Sequence, residues 1–130
     1  MIPVIVPIYA AILGLVFVSL SFHVANTRRI TKITLGTGGN ARLERRIRVQ
    51  GNFAEYVPMA LILLTFIELQ RWPPSLVHGL CVVLLAARLV HAYGVSQEPE
   101  DIRLRASAIL TTFAVMIVSS LLLPASAKIS

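Results

Sequence analysis

The part of the chain best suited to chemistry is residues 44–58, where charged and amide side chains recur at helical spacing within an otherwise apolar stretch. At about 100° per residue, several of these side chains share one wedge of roughly 100° on a helix. Tyr56 borders this wedge, whereas Gln50 points to the opposite side of the helix. The wedge contains Glu44, Arg45, Arg48, Asn52 and Glu55.

The wedge suits the binding of a small molecule that carries both carboxylates and an ammonium group. The stretch ARLERRIRVQGNFAEYVPMALILL contains four arginines but only two glutamates, which leaves positive charge unbalanced. Arginine binds carboxylates through two parallel hydrogen bonds, and Glu55 with Asn52 would suit an ammonium group. The alternative is a structural network in which Arg48 pairs with Glu44 and Glu55, because charges inside a membrane are normally paired.

The composition indicates that these residues belong to an integral membrane protein. Of the 130 residues, 56% are hydrophobic and only 14% are charged, and the mean hydropathy is +0.78. Soluble domains are about a quarter charged. The net charge of +6 does not indicate a nucleic-acid partner, because the basic residues lie beside apolar spans without an aromatic platform. We expect a single domain, residues 1–130, in the lipid bilayer.

Four apolar stretches predict an all-α fold, an antiparallel four-helix membrane bundle. Each stretch is close to the ~20 residues that cross a bilayer as a helix. The sequence GTGGN marks the first loop, and the prolines of RWPPS force a turn after the second span. Pro124 is expected to close the fourth helix. The predicted spans are about 2–25, 43–70, 75–95 and 102–123.

The distribution of lysine and arginine predicts the orientation in the membrane. Seven of the 12 lie between Arg28 and Arg48, and two more follow the third loop. Only Arg71 and Lys128 lie on the opposite side. Because cytoplasmic loops carry an excess of basic residues, we expect loops 1 and 3 in the cytoplasm and both termini outside.

Helix 2 resembles the second-helix signature of the MAPEG family, the membrane-associated proteins in eicosanoid and glutathione metabolism. ERRIRVQGNFAEYVP fits E-R-x-x-R-x-Q-x-N-x-x-E-Y-x-P at all eight specified positions. Its spacing is more similar to the leukotriene-C synthase branch than to the prostaglandin-E synthase branch. SLSFHVANTRR at the end of helix 1 is also similar and places Arg28 at a family arginine that reaches the ligand.

The resemblance implies a homotrimer in a bacterial inner membrane that binds glutathione between subunits near the cytoplasmic face. The implied activity is conjugation of glutathione, as co-substrate, to lipophilic electrophiles that enter from the bilayer. Glutathione peroxidase activity is a further candidate, and no metal is expected. The residues carried over are, from one subunit, Arg48, Asn52, Glu55 and Tyr56 and, from its neighbour, Arg28 and Gln50.

Helix 3 departs from the family pattern. Members place two tyrosines or histidines one turn apart beside the ligand, but Leu89 stands where the first would align and only Tyr93 fits. His91 either replaces the missing contact or is simply solvated near the helix end. Arg88 lies inside a span, where an arginine must reach the interface or pair, and we expect structural pairing.

Family members use an arginine at the start of helix 4 to stabilise the glutathione thiolate, and Arg103 and Arg105 are the candidates in this sequence. Only the thiolate attacks electrophiles, and lowering its pKa by about two units requires roughly 2.7 kcal/mol of preferential interaction. One guanidinium hydrogen bond in a shielded site can supply this. The match of RASAILT favours Arg105, and we expect the other arginine to anchor at the lipid headgroups.

Two other functions are compatible with the sequence. Small four-span transporters also carry one membrane-embedded carboxylate, here Glu55, although they do not need an arginine-rich stack beside it. A family member that binds glutathione or lipid without catalysis is the second alternative, because Leu89 and the third loop depart from the family pattern.

Overall fold

The computed structural model describes residues 2–97 and 101–127, and this part of the chain forms four α-helices. Each helix is long and apolar enough to cross a membrane, and the short connections make successive helices antiparallel. The predicted all-α, four-helix membrane bundle is therefore confirmed. The helices are α1 (Ile5–Thr31), α2 (Ala41–Leu69), α3 (Pro74–Ser96) and α4 (Ile102–Ala127).

Helices α2 and α3 form the centre of the bundle. α1 packs against both of them on one side, α4 packs against both on the other, and α3 and α4 share the most extensive contact. Buried apolar residues fill the seams, among them Phe53 and Leu64 of α2 and Leu84 of α3. Phe17 of α1 stacks on Phe53 with ring centroids 5.4 Å apart. Contacts with three neighbours fix the rotation of α2, and with it the direction of its charged wedge.

Helix α1 continues beyond the predicted span. The sequence predicts an end near residue 25, but α1 runs to Thr31 and stops at Lys32, whose φ of 59° is left-handed. The Arg28 guanidinium donates to the carbonyl oxygens of Ile33 and Gly36 at 3.2 and 3.0 Å, which holds the chain that leaves the helix. The polar residues mark the edge of the bilayer rather than the end of the helix, because helical hydrogen bonds persist in water as well as in lipid.

The prediction that Pro124 closes the fourth helix is wrong. Helix α4 runs through this residue to Ala127. A proline removes one main-chain hydrogen bond, and near a helix end only the last turn is affected. Pro58 also lies inside α2, where packed neighbouring helices make an interior proline tolerable. Lys128, which contributes to the predicted orientation, lies outside the described residues.

A buried carboxylate holds together the end of the bundle that carries the α2–α3 turn. Glu68, which is only 5% exposed, accepts hydrogen bonds from the N–H groups of Val4, Ile5 and Val6 at 2.8, 2.6 and 2.9 Å. The first N–H groups of a helix lack intrahelical partners, and α1 has no acidic residue in its own first turn. Glu68 of α2 therefore caps the N-terminus of α1 and fixes the position of α1 along the axis of α2.

Candidate functional site

Two adjoining clefts lie at the basic end of the bundle, where α2 and α4 begin and α3 ends. The smaller, about 140 Å³, is called the inner cleft, and the larger, about 440 Å³, the outer cleft. Arg48 and Arg105 line both, so the two clefts adjoin at these side chains. The inner cleft is lined by Ile47, Arg48, Gly51, Asn52, Glu55, His91 and Arg105, and the outer cleft by Ala41, Glu44, Arg45, Arg48, Val95 and Arg105.

The wedge of α2 predicted from the sequence faces these clefts. Arg48, Asn52 and Glu55 line the inner cleft, and Glu44 and Arg45 line the outer one. The site is thus built from one continuous helix face, with groups from α3 and α4 completing it. Its charges combine carboxylates with guanidinium groups, an arrangement that can bind a zwitterion.

Arg88 of α3 forms a buried network beneath the inner cleft. The side chain is 2% exposed, and its guanidinium donates to Asn52 Oδ1 at 2.6 Å and to Thr112 Oγ1 at 3.3 Å. The Arg88 Cζ atom also lies 5.8 Å from the centre of the Phe53 ring, within the range of a cation–π contact. The predicted structural pairing of Arg88 is therefore observed as hydrogen bonds to neutral partners on α2 and α4.

His91 is buried rather than solvated. The side chain is 1% exposed, and the residue lines the inner cleft one turn after Arg88 on α3. The alternative in which His91 is solvated near the helix end is therefore wrong. The reason is that α4 covers this end of α3, because the connection between the two helices is short.

Gly94 allows α3 and α4 to approach closely enough to place Arg105 in the clefts. A Cβ atom at Gly94 would lie 2.9 Å from Leu104 Cβ and 3.2 Å from the main-chain nitrogen of Arg105. The Asp101 N–H donates to the Gly94 carbonyl at 2.9 Å, and the Asp101 carboxylate accepts from the Leu104 N–H at 3.2 Å. The first turn of α4 is thus capped and docked on α3, which directs Arg105 inward and leaves Arg103 exposed.

Arg28 and Gln50 do not line the inner or the outer cleft. Arg28 binds the carbonyl groups of the first loop, as described above, and Gln50 Nε2 donates to Ser21 Oγ of α1 at 2.9 Å. Both lie on the α1 side of α2, away from the wedge. Their placement agrees with the opposite direction predicted for Gln50 on the helical plot.

The two candidate tyrosines, Tyr56 and Tyr93, do not line the inner or the outer cleft. Tyr56 is half-buried and packs edge-to-face on Phe113 of α4, with ring centroids 5.2 Å apart. Tyr93 is 61% exposed and does not line either cleft. The Tyr93 phenol is therefore not part of the inner or the outer cleft.

Three contributors to the site were missed by reasoning from the sequence. Thr112 accepts from Arg88, Gly94 allows the close approach of α4, and Phe53 supports the guanidinium. A glycine near the end of an apolar helix is a recognisable sign of close packing. Phe53 and Thr112 carry no comparable sign, because aromatic residues and threonines are common throughout membrane helices.

Comparisons with known proteins agree with this architecture. Residues 6–124 match the MAPEG family. Two curated relatives, the inner membrane proteins YecN of Escherichia coli K12 and of Escherichia coli O6:H1, are each 38% identical over 87 residues. The matched segment covers 67% of this chain and 66% of each relative, just under two thirds of their own length. Because the family match covers nearly all of the chain, this protein belongs to the MAPEG family.

Proposed function

We propose that this protein is a glutathione transferase of the inner membrane that joins the glutathione thiolate to lipophilic electrophiles. The observation that carries the proposal is that Arg48, Asn52, Glu55, His91 and Arg105 line one cleft at the basic end of the bundle. Membership of a family that includes glutathione transferases supports the choice of co-substrate. The names of the YecN relatives support the inner-membrane location.

The inner and outer clefts offer a complementary group for each charged part of glutathione. The tripeptide carries two carboxylates and one ammonium group, and Arg48 and Glu55 supply the opposite charges. Pockets for ligands of this size hold about 300–1,000 Å³. The inner cleft, at about 140 Å³, is too small by itself. Glutathione would therefore extend into the outer cleft, where further guanidinium groups meet its second carboxylate.

Arg105 is the residue that we assign to the sulfur. It lines both clefts, so its guanidinium group can meet a thiol wherever the peptide extends between them. A hydrogen bond from the guanidinium stabilises the thiolate over the thiol, and the thiol proton leaves to solvent. The sulfur electron pair then forms the bond to the electrophilic carbon, and the leaving group departs with its bonding pair. Arg103 is exposed and suits headgroup anchoring instead.

A homotrimer would complete the site. Arg28 and Gln50 lie on the α1 side of α2, outside the clefts of their own subunit. A neighbouring subunit packed against the wedge of α2 would bring its own α1 side towards the glutathione. The family resemblance assigns Arg28 and Gln50 to the site of the neighbouring subunit. This agrees with their position outside the clefts of the subunit that carries them.

The lipophilic substrate would reach the sulfur along α4. Leu110 and Phe113 on this helix are exposed, and Phe113 packs on Tyr56 at the edge of the site. A lateral route from the bilayer suits substrates that partition into lipid. The same route would admit lipid hydroperoxides in a glutathione peroxidase reaction. The thiolate sulfur would bond to the terminal peroxide oxygen as the O–O bond breaks, and the lipid alcohol would leave after protonation. A second glutathione would then convert the sulfenic acid to glutathione disulfide and water.

The thiolate absorbance of glutathione, measured on detergent-purified protein, tests the proposal. The wild type should raise the ultraviolet absorbance on titration with glutathione and should conjugate an aryl halide. Arg105→Ala should still bind glutathione but form about tenfold to hundredfold less thiolate, which corresponds to roughly 1.4–2.8 kcal/mol. Arg103→Ala, which removes the same charge two residues away, is the matched control and should resemble the wild type.

The two alternative functions predict different results in this experiment. A non-catalytic binding protein would take up glutathione without thiolate absorbance or conjugation. A proton-coupled transporter would show substrate-driven proton flux in vesicles that Glu55→Gln abolishes. Equal thiolate formation by Arg105→Ala and the wild type would refute the role given to Arg105.

A further inference from the structure

A glycine, Gly51, lies on the charged face of α2 among the residues that line the inner cleft. Arg48 precedes it by three residues and Glu55 follows it by four, so all three share one face of the helix. Gly51 lines the inner cleft together with these two neighbours. The wall of the cleft therefore has a gap at residue 51, between a guanidinium group and a carboxylate.

The packing of the helices does not explain a glycine at this position. Glycine is among the least favourable residues inside a helix, and Gly51 lies well inside the 29-residue α2. At Gly94 the close approach of α4 leaves no room for a side chain, as described above. A Cβ atom at Gly51 would instead meet no atom of another helix within 4 Å among the described residues. The space that the missing side chain leaves thus belongs to the inner cleft.

This space lies beside the carboxylate of Glu55. A side chain on a helix leans towards the preceding turn, and a Cβ atom at Gly51 would lie 4.0 Å from Glu55 Oε1. Glu55 is exposed, and it supplies the one carboxylate among the described residues that line the inner cleft. Charge-assisted hydrogen bonds between nitrogen and carboxylate oxygen are about 2.7–2.9 Å long. An ammonium group can therefore approach Glu55 from the side of Gly51, because no side chain at residue 51 stands in the way.

We infer that Gly51 forms the recess through which the ammonium group of the substrate reaches Glu55, and that this recess makes the cleft selective for thiol peptides with a primary amine. The inference rests on the proposed binding of glutathione and adds a specificity-determining residue to it. A methyl group is similar in size to a water molecule, whose share of liquid volume is about 30 Å³. Gly51→Ala would thus fill about a fifth of a cleft of about 140 Å³.

Calorimetric titration of Gly51→Ala tests the inference on detergent-purified, full-length protein. The two ligands are glutathione and glutathione that lacks its amino group. We expect about tenfold weaker binding of glutathione and unchanged binding of the deaminated peptide, which places no ammonium group in the recess. The midpoint of thermal unfolding should equal or exceed that of the wild type, because alanine favours a helix more than glycine does. A loss of affinity would then not reflect misfolding.

Gly79→Ala on α3 is the matched control. A Cβ atom at Gly79 would also meet nothing within 4 Å in the described part of the chain, but this residue does not line the inner or the outer cleft. The control should bind both ligands as the wild type does.

A thermodynamic cycle with Glu55→Gln separates an effect on the recess from a general disturbance of α2. If Gly51 acts by admitting the ammonium group to Glu55, Gly51→Ala should weaken glutathione binding about tenfold when Glu55 is present and not at all in Glu55→Gln. Additive losses in the double variant overturn the inference. Equal losses for the two peptides also overturn it, as does undiminished glutathione binding by Gly51→Ala.

The wild type distinguishes a failure of this inference from a failure of the proposed function. Wild-type binding of glutathione that Gly51→Ala leaves unchanged refutes the recess and leaves the proposed function in place. The absence of glutathione binding by the wild type overturns both.

Discussion

Arg88 on α3 donates a hydrogen bond of 2.6 Å to Asn52 Oδ1 on α2, and this contact sets the direction of the Asn52 amide. An arginine can only donate hydrogen bonds, so the amide oxygen must be the acceptor. The NH₂ group of Asn52 is then the part of the amide that remains for the inner cleft. It suits a carbonyl or carboxylate of the ligand, whereas the sequence-based hypothesis assigned Asn52 to an ammonium group.

Replacing Arg88 should reduce both stability and glutathione affinity. In Arg88→Met, Asn52 Oδ1 loses its donor, and an unsatisfied buried polar group costs about 1–3 kcal/mol. The Thr112 hydroxyl keeps its hydrogen bond to the Ala108 carbonyl. The amide would also be free to turn, so we expect about tenfold weaker glutathione binding. Thermal unfolding and calorimetric titration measure the two effects.

Arg88→Lys is the informative companion to this variant. An ammonium group keeps the charge but cannot bridge both partners with a planar fork. Thermal stability should recover in part relative to Arg88→Met. Glutathione affinity should recover only if the lysine holds the Asn52 amide in its original orientation. Glutathione affinity equal to that of the wild type in Arg88→Met would show that Arg88 has no positioning role.

Glu55→Gln should selectively reduce recognition of the ligand's ammonium group. Glu55 lines the inner cleft together with two arginines and is the carboxylate available there for a cation. Replacing it by an amide should weaken glutathione binding about tenfold, since hydrogen bonds to charged groups contribute about 1.5–3 kcal/mol. Glutathione that lacks its amino group serves as the control ligand and should bind both proteins equally. An equal loss of affinity for both ligands would assign Glu55 a structural role.

Gly94→Ala should disturb the entry of α4 and, through it, Arg105. The new methyl group would lie 2.9 Å from Leu104 Cβ, and overpacking of this kind costs about 1–3 kcal/mol. We expect lower thermal stability and less thiolate formation. Gly79→Ala on the same helix meets nothing within 4 Å, so it should be neutral or more stable by about 0.5–1 kcal/mol. Equal behaviour of the two variants would contradict the close-approach argument.

Glu68→Gln should destabilise the bundle without affecting the site. The carboxylate accepts three N–H groups at the start of α1, and an amide offers only one acceptor oxygen and no charge to the helix dipole. We expect a loss of about 1–3 kcal/mol, measured as a lower midpoint of thermal unfolding. Glutathione binding by the folded variant should stay normal, because Glu68 lies at the opposite end of α2. Unchanged stability would show that water or lipid headgroups replace the cap.

The fold was predictable from hydropathy and turn chemistry because each span must satisfy its own backbone in lipid. The helix ends were less predictable. Arg28 and Pro124 both lie within helices that the sequence predicted to end at or before them. Polar residues such as Arg28 indicate where the bilayer ends, and a proline such as Pro124 removes one main-chain hydrogen bond. Neither observation requires the helix to stop.

The face of α2 was predictable from helical geometry, since Arg48, Asn52 and Glu55 were placed together by spacing alone. The partners from other helices were not. The burial of His91 and the role of Gly94 depend on how closely α4 approaches α3, and one sequence contains no measure of that distance. Glu68 did carry a signal, since a lone carboxylate in an apolar run normally has a partner, but its partner is the backbone of α1.

Calorimetric titration of the purified wild-type protein with glutathione determines whether the two clefts bind the tripeptide. We expect saturable binding in the millimolar range or tighter and about tenfold weaker binding by Arg48→Ala, which loses a carboxylate partner in both clefts. Arg71→Ala, at the opposite end of the bundle, should bind like the wild type. The absence of any binding heat from the wild type at millimolar glutathione, or equal binding by Arg48→Ala and the wild type, would contradict the account.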